Sequence, residues 1–367
     1  MVLKVTYSIN PDPEAAAKEI LLNCSGLDPS AVLFFASSRF NPESISKSMK
    51  NAFQKATVIG CSTSGELISG KMLKQSVVAM VCESDTIGDI AVDIINLNEP
   101  GSTETILTQL AGKYGKKPLE LDPEKYVGII LIDGLSCAEE RVMERLSDLT
   151  NITVIGGSAG DDLAFKKTWV YADGRVYENS ALLAVLKPAV KFDFIKTQSF
   201  CSLKKKLTAT KVDESTRKVL EFNNKPALVA YSESLGIQKE TANSSFMKYP
   251  VGLISDNEPY VRSPQRTEGD AMYFYCQIRE GMELDILEST NIIEDTKKAI
   301  TDKQKEVGKI LGLINFHCIL RTLDLEQQGK TEDYGKIFSD IPMIGFSTYG
   351  EEYIGHINQT STMLIFY

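Results

Sequence analysis

The sequence is poor in the residues from which metal and redox centres are built. It contains two histidines, His317 and His356, and its seven cysteines include no CxxC pair. Two isolated histidines do not make a zinc site of ordinary ligand count. An odd, scattered set of cysteines argues against a disulfide framework and for a reducing compartment. Basic charge is also short: 40 Lys and Arg stand against 49 Asp and Glu, for a formal charge of −9. A nucleic-acid surface needs a net basic footprint, and the triplet Lys204, Lys205 and Lys206 reads as a solvated edge. No stretch approaches the ~18 consecutive apolar residues of a membrane-spanning helix. The opening MVLKVTYSIN alternates and lacks the apolar run of a signal peptide. These absences point to a soluble, cytoplasmic protein with no nucleic-acid partner and no membrane insertion. No GxGxxG follows a strand, so a dinucleotide-binding domain is not expected.

What is present is a repeat. The phrase VIGCSTSGEL at 58–67 returns as VIGGSAGDDL at 154–163 and as MIGFSTYGEE at 343–352. All three carry Ile-Gly-x-Ser, then Thr or Ala, and close on carboxylates. A short apolar, β-rich run precedes each, at 31–36, 127–132 and 311–316, and reads as a buried strand. A helix fits between run and phrase. Asn41-Pro42 caps the first, with Ile45, Met49 and Phe53 on one face. Val142, Met143, Leu146 and Leu149 stripe the second, and 331–340 would carry Tyr334 and Phe338 inward in the third. A further strand follows each phrase, at 76–81, 181–186 and 362–366.

Between the second and third copies the pattern changes. Residues 192–212 alternate, and 226–235 read as a short helix with Pro226 at its first position and Gly236 at its end. Residues 272–275 and 282–287 read as strands joined by the turn Glu280-Gly281, and 291–309 as a long helix. Domains usually hold ~100–200 residues, so we expect two, 1–200 and 201–367. The expected fold class is α/β: two related lobes of mixed β-sheets with flanking helices, built from repeated strand–helix–strand units.

A strand that ends in Gly and Ser is often only a turn. The density of small polar groups suggests more. Cys61, Ser62, Thr63, Ser64 and Glu66 in the first phrase, Gly157, Ser158, Asp161 and Asp162 in the second, and Ser347, Thr348, Tyr349 and Glu351 in the third would suit a small polar ligand, for instance an amino acid. Residues 156–160 match the GxSxG nucleophile pattern, which makes a hydrolase using Ser158 an alternative. The sister phrases keep the serine without that glycine pattern, which favours hydrogen bonding over attack. Cys61 has no activating neighbour in sequence and reads as lining. His317 reads as a core histidine, although one proximal histidine, His317 or His356, would suffice for haem.

The C-terminal stretch GFSTYGEEYIGHINQTSTMLIFY resembles the end of the FIST C domain. Gly345, Phe346, Thr348, Tyr349, Gly350 and Glu351 match its first motif, and His356, Asn358 and Thr360 its second, with Ile357 inserted. PYVRSP with Arg262, PALVAY with Pro226, and the spacing from Cys318 to Arg321 are also similar to FIST C, while VIGCSTSGEL and VIGGSAGDD resemble FIST N. The resemblance implies a bacterial-type sensory module of signal transduction that binds a small ligand and is not an enzyme. It leaves no room for an output segment, so the partner would be a separate signalling protein such as a histidine kinase or cyclase. No cofactor is implied in the main reading. A branch of similar proteins binds haem and senses nitric oxide. In a ligand site of this kind Arg262 and Arg321 would pair with a carboxylate, and Glu66, Asp161, Asp162 and Glu351 would receive an ammonium group.

Overall fold

A computed structural model of the chain describes residues 3–255 and 258–367. Three copies of one pattern follow each other. The first is β1 (Leu3–Ser8), α1 (Pro13–Asn23), β2 (Ala31–Ser37), α2 (Pro42–Ala52), β3 (Thr57–Thr63), the hairpin β4 (Glu66–Ile68) and β5 (Lys71–Leu73), and β6 (Val77–Cys82). The second is β7 (Ile87–Asn96), α3 (Ser102–Lys113), β8 (Val127–Ile132), α4 (Glu139–Leu149), β9 (Val154–Ser158), the hairpin β10 (Val170–Ala172) and β11 (Arg175–Tyr177), and β12 (Ser180–Pro188). The third opens with β13 (Phe192–Gln198) and is then interrupted. The interruption holds β14 (Phe200–Asp213), β15 (Lys218–Phe222), β16 (Lys225–Pro226), α5 (Ala227–Leu235), β17 (Val251–Ser255), β18 (Glu258–Arg262), β19 (Pro264–Glu268), β20 (Ala271–Phe274) and β21 (Glu283–Ser289). The third copy resumes with α6 (Ile292–Val307), β22 (Gly312–Cys318), α7 (Ile319–Gln327), α8 (Thr331–Lys336), β23 (Met343–Thr348), the hairpin β24 (Glu351–Tyr353) and β25 (His356–Ile357), and β26 (Thr360–Phe366).

The helix starts follow local chemistry. Asp12 and Asn41 accept the backbone N–H of Ala15 and Ser44 at 2.8 and 2.9 Å, and Pro13 and Pro42 follow them. Each copy builds a mixed sheet, in which its second strand (β2, β8 or β22) pairs in parallel with the phrase strand and antiparallel with the strand that closes the copy (β6, β12 or β26). The strand orders are β1-β6-β2-β3-β10-β11, β7-β12-β8-β9-β24-β25 and β13-β26-β22-β23-β4-β5. Every sheet is therefore completed by a hairpin from another copy. The first copy gives its hairpin to the third, the third to the second, and the second to the first.

This exchange closes a single apolar core. Phe35, Cys61, Ile129, Leu131, Ile155, Phe316 and Phe346 all lie in it. Phe35 sits 4.5 Å from Phe346 and 6.4 Å from Phe316, ring centre to ring centre. On the other face of the first sheet, α1 and α2 cover Val32, Phe34, Ala79 and Val81. On the second sheet, α3 and α4 cover Ile130, Ile132 and Leu183.

The glycine of Ile-Gly has one cause in all three copies. Gly60, Gly156 and Gly345 pair with Phe34, Ile130 and Asn315 on the neighbouring parallel strand. A Cβ there would stand 2.1, 1.7 and 2.2 Å from the carbonyl oxygen of that partner. The Ile before it faces the shared core in each case.

The chain forms two compact units. One holds the described residues up to Lys196 with Lys297–His356 and Ser361–Tyr367; the other holds Thr197–Thr296 with Ile357–Thr360. The first change of unit lies between Lys196 and Thr197, and residues 297–356 pack in the first unit. The second unit carries an antiparallel sheet of order β18-β17-β21-β14-β15-β20-β19 over a core that includes Leu207, Phe222, Tyr231, Phe246 and Met272.

The α/β class, the mixed sheets and the flanking helices are as the patterns indicated. Details differ. The third copy has two helices where one was expected at 331–340, because α7 starts directly from the end of β22 with no turn residue to announce it. Residues 192–212 form two strands. β20 and β21 do not pair as a hairpin; β20 joins β15 and β19, and β21 joins β14 and β17. Pro226 caps α5, with Gly236 closing it at φ +70°. Among the described residues no helix is long and apolar enough to cross a membrane.

Candidate functional site

The three phrase strands end beside one another in the first unit. Ser347 N–H donates to the Gly65 carbonyl (2.8 Å), Ser158 N–H to Gly350 (2.9 Å), Tyr349 N–H to Ser158 (3.1 Å) and Gly160 N–H to Ser62 (3.0 Å). A Cβ on Gly157 would meet the Thr348 methyl at 2.5 Å. The strand exits are therefore packed against one another, and Ser62, Thr63, Ser158, Ser347, Thr348 and Glu351 have no accessible surface.

The equivalent serines are used in three ways. Ser62 Oγ donates to the Gly160 carbonyl (2.9 Å) and accepts from Trp169 N–H (3.0 Å), holding both ends of the loop between β9 and β10. Ser158 Oγ contacts Glu352 (2.9 Å) and Glu139 (3.2 Å). Ser347 Oγ pairs with Thr322 Oγ1 on α7 at 2.7 Å.

Carboxylates surround these serines. Thr63 donates to Glu66, which also accepts Ser76 N–H (3.0 Å) and Oγ–H (2.7 Å). Burial outweighs these bonds and raises the Glu66 pKa to about 7. Thr348 donates to Glu351 at 2.5 Å, three residues on as in the first copy. Glu352 lies opposite Gly156 in its ladder, where the other copies place Leu67 opposite Gly345 and Tyr171 opposite Gly60. Tyr171 fills its place by stacking on Phe34 at 5.4 Å. Glu352 has Ser158 and the His356 imidazole, whose Nδ1 is 3.5 Å away. Its Oε2 is buried without a hydrogen-bond partner among the described residues, and burial raises its pKa to about 7.

A loop closes the convergence point. The first and third copies pass from phrase to hairpin through two residues, Ser64-Gly65 and Tyr349-Gly350, but the second uses all of 159–169. Its ends meet on Ser62, as in a compact Ω-loop. Asp161 gathers the N–H groups of Phe165, Lys166 and Lys167 (2.9, 2.6 and 3.0 Å) and the Tyr349 hydroxyl (2.5 Å). That hydroxyl accepts from Leu163 N–H at 2.8 Å, and burial raises its pKa. Asp162 N–H reaches Ser64 Oγ at 3.0 Å, and Ser38 Oγ reaches the Asp162 carboxylate at 2.7 Å. Asp162, Leu163 and Phe165 all have positive φ, between 50° and 63°, a costly backbone for residues other than glycine. Leu163 and Phe165 are exposed, and Phe165 stacks on Tyr349 at 5.1 Å.

The helix-facing side of the third sheet is polar. Asn315, His317 and Ser361 stand where the first copy has Phe34, Ala36 and Val77, and the second Ile130, Ile132 and Ala181. Tyr334 Oη links His317 Nδ1 (3.0 Å) and Asn315 (3.3 Å), and Ser361 Oγ donates to Asn315 (2.7 Å). Burial, then the nearby Arg321, lowers the His317 pKa well below its ordinary value. Arg321 is itself buried. A haem needs an open, flat slot beside its axial histidine. His317 is fully buried and the His356 side chain is 1% exposed, with the Gly350 backbone against its ring, so the residues as packed do not fit a macrocycle.

Of the candidate residues, Ser62, Thr63, Ser64, Glu66, Gly157, Ser158, Asp161, Ser347, Thr348, Tyr349 and Glu351 meet at the strand exits. Cys61 faces the central apolar core, where burial raises its pKa well above the ordinary value. Arg262 and Asn358 belong to the second unit, in which Asn358 accepts from Cys276 Sγ at 2.7 Å. Glu139, Glu352 and Asp133, which takes Thr168 Oγ1 and Asn179 N–H, escaped the sequence reading. Only the second carboxylate of the Gly350-Glu351-Glu352 run offered a signal for one of them.

The FIST N domain profile matches residues 30–225 and the FIST C domain profile residues 227–353. An uncharacterized protein of Methanocaldococcus jannaschii is 24% identical over 279 residues, covering 70% of this chain and 53% of that protein. The chain thus spans about half the length of that relative. With profiles for both halves covering most of its length, the chain belongs to the FIST family, whose domains are associated with the sensing of small ligands in signal transduction.

Proposed function

We propose that the protein is a sensor whose small polar ligand, an amino acid in the simplest case, binds where the Ile-Gly-x-Ser segments meet, beneath the 159–169 loop. The bound state then passes to a separate signalling protein. One observation carries this reading: strand exits from three copies converge under a loop that only the second copy possesses. That loop is strained, carries exposed apolar side chains and is tied down through Tyr349 and Asp161. Long irregular loops within compact domains are commonly lids or binding loops. Because the exits are sealed in this arrangement, ligand access requires the loop to lift. Glu66 and Glu351 are then the receivers of an ammonium group, and Arg321 the partner of a carboxylate.

A thermal-shift screen of amino acids and related metabolites tests this. A ligand at one hundred times its dissociation constant stabilises the native state by about 2.7 kcal/mol. The response should be lost in Glu351→Gln and Arg321→Lys proteins that remain folded. A screen with no stabiliser, or a stabiliser indifferent to both substitutions, removes this site.

A further inference from the structure

A signalling partner needs a place to attach, and the free edge of the first sheet offers one. Residues 4–9 line a cleft of about 630 Å³, with Glu19 and Asn23 of α1 on one side and Ile68, Ser69 and Lys71 on the other. Successive residues of a strand point to opposite faces. A cleft touched by six in a row therefore runs along the edge of β1, not over one face. Among the described residues, β1 has β6 as its strand neighbour on one side and no strand on the other. An edge of this kind presents unpaired N–H and C=O groups. Here it lies at the bottom of a walled groove, which matches the way extended peptides add to a sheet.

The charge of the groove selects the occupant. Both oxygens of Glu19 are taken up, by Ser8 Oγ (2.5 Å) and Asn10 Nδ2 (3.0 Å). Lys4 and Lys71 are exposed, and Lys71 Nζ spends one donor on Tyr7 Oη at 2.8 Å. The two donors to Glu19 are neutral and lower its pKa, so Glu19 keeps its charge, and the groove sets two ammonium groups against one carboxylate, a net positive lining. A second copy would bring its own Lys4 and Lys71 against these, which disfavours edge-to-edge pairing of two copies.

We infer that the β1 edge is the docking strand for an extended, acidic segment of another protein, which adds to the first sheet and places its carboxylates on Lys4 and Lys71. This inference is independent of the ligand reading, since it needs neither the loop nor the strand exits. It also has a built-in route to them: the turn that walls the groove continues from β4, whose first residue is Glu66.

The probe is a terminally blocked octapeptide of paired valines and paired glutamates, labelled for fluorescence anisotropy, with a lysine-for-glutamate version as control. Lys4 shares a strand face with Ser8 and Lys71 sits on Tyr7 of the opposite face, so carboxylates must leave both faces of the added strand. The acidic peptide should bind, and the control at least tenfold more weakly. The double variant Lys4→Glu/Lys71→Glu, both exposed positions that leave the core untouched, should reverse that preference. Hydrogen exchange of the 3–8 amides should slow on addition of the acidic peptide. No binding, binding equal for both peptides, or binding that leaves those amides unprotected overturns the proposal. So does sedimentation showing a dimer that protects the same amides without peptide.

Discussion

Ser158 Oγ lies 2.9 Å from Glu352 and 3.2 Å from Glu139, so the one serine in a GxSxG context donates to a carboxylate and is not held by a histidine. Its base would have to be an imidazole aligned on the hydroxyl, and the hydroxyl is fully buried. A fluorophosphonate should leave Ser158 unlabelled in native protein. Ser158→Ala should lower stability by about 1–3 kcal/mol, because it strips a hydrogen bond from a buried carboxylate. Intact-mass analysis after labelling and urea unfolding check both statements; a labelled Ser158 would restore the hydrolase alternative.

Glu66 gives stability a pH dependence of defined sign. Its folded pKa of about 7 exceeds its ordinary 4.5, chiefly through burial. The folded state therefore holds the proton more tightly. Its contribution is fully present below about pH 4.5 and is lost as pH rises through 7, a change of about 3 kcal/mol. Glu352 titrates in the same window. Glu66→Gln should therefore flatten, without abolishing, the decline in urea midpoint between pH 5 and 8. An unchanged profile would show that Glu66 is ionised throughout.

The Ile-Gly step predicts equal intolerance at three distant positions. Gly60→Ala, Gly156→Ala and Gly345→Ala each push a methyl against a strand carbonyl. Each should cost about 1–3 kcal/mol or more, read as a drop in melting temperature. Gly112→Ala on α3, where a Cβ meets nothing within 4 Å, is the control and should be neutral or stabilising.

Tyr349 is the clasp of the 159–169 loop. Tyr349→Phe keeps the ring stacked on Phe165 but removes the hydroxyl that binds Asp161 and Leu163. Amides of 161–167 should exchange faster while those of β8 and β9 do not change. Uniform acceleration across the first unit would mean that the loop is an ordinary part of the fold and not a separately opening element.

Much of the architecture was legible along the chain. The buried strands, α2, α4, α5 and α6, and the triplicated phrase all carry local signals: apolar runs, helix caps, and a Gly at a fixed offset. The segments that were not legible lack such marks. α7 begins without a turn after β22. β20 and β21 look like a hairpin because Glu280-Gly281 stands between them, yet pairing partners are chosen by long-range packing. At the convergence of the strand exits, Ser62, Ser158 and Ser347 were marked in the sequence by their repetition. Glu139 was missed because a glutamate at a helix start looks like any first-turn acid.

The sequence alone determined that this is an α/β chain with three like strand exits rich in small hydroxyl groups, since strand and helix periods and turn chemistry are local properties. It also carried the family resemblance. Only the tertiary structure decided that each hairpin completes the sheet of another copy and that the three exits touch. It alone decided that Glu352 occupies a place held elsewhere by Leu67 and Tyr171. Those are facts about which strands lie side by side, and that choice is made by burying a common core from residues hundreds of positions apart, which no local pattern encodes.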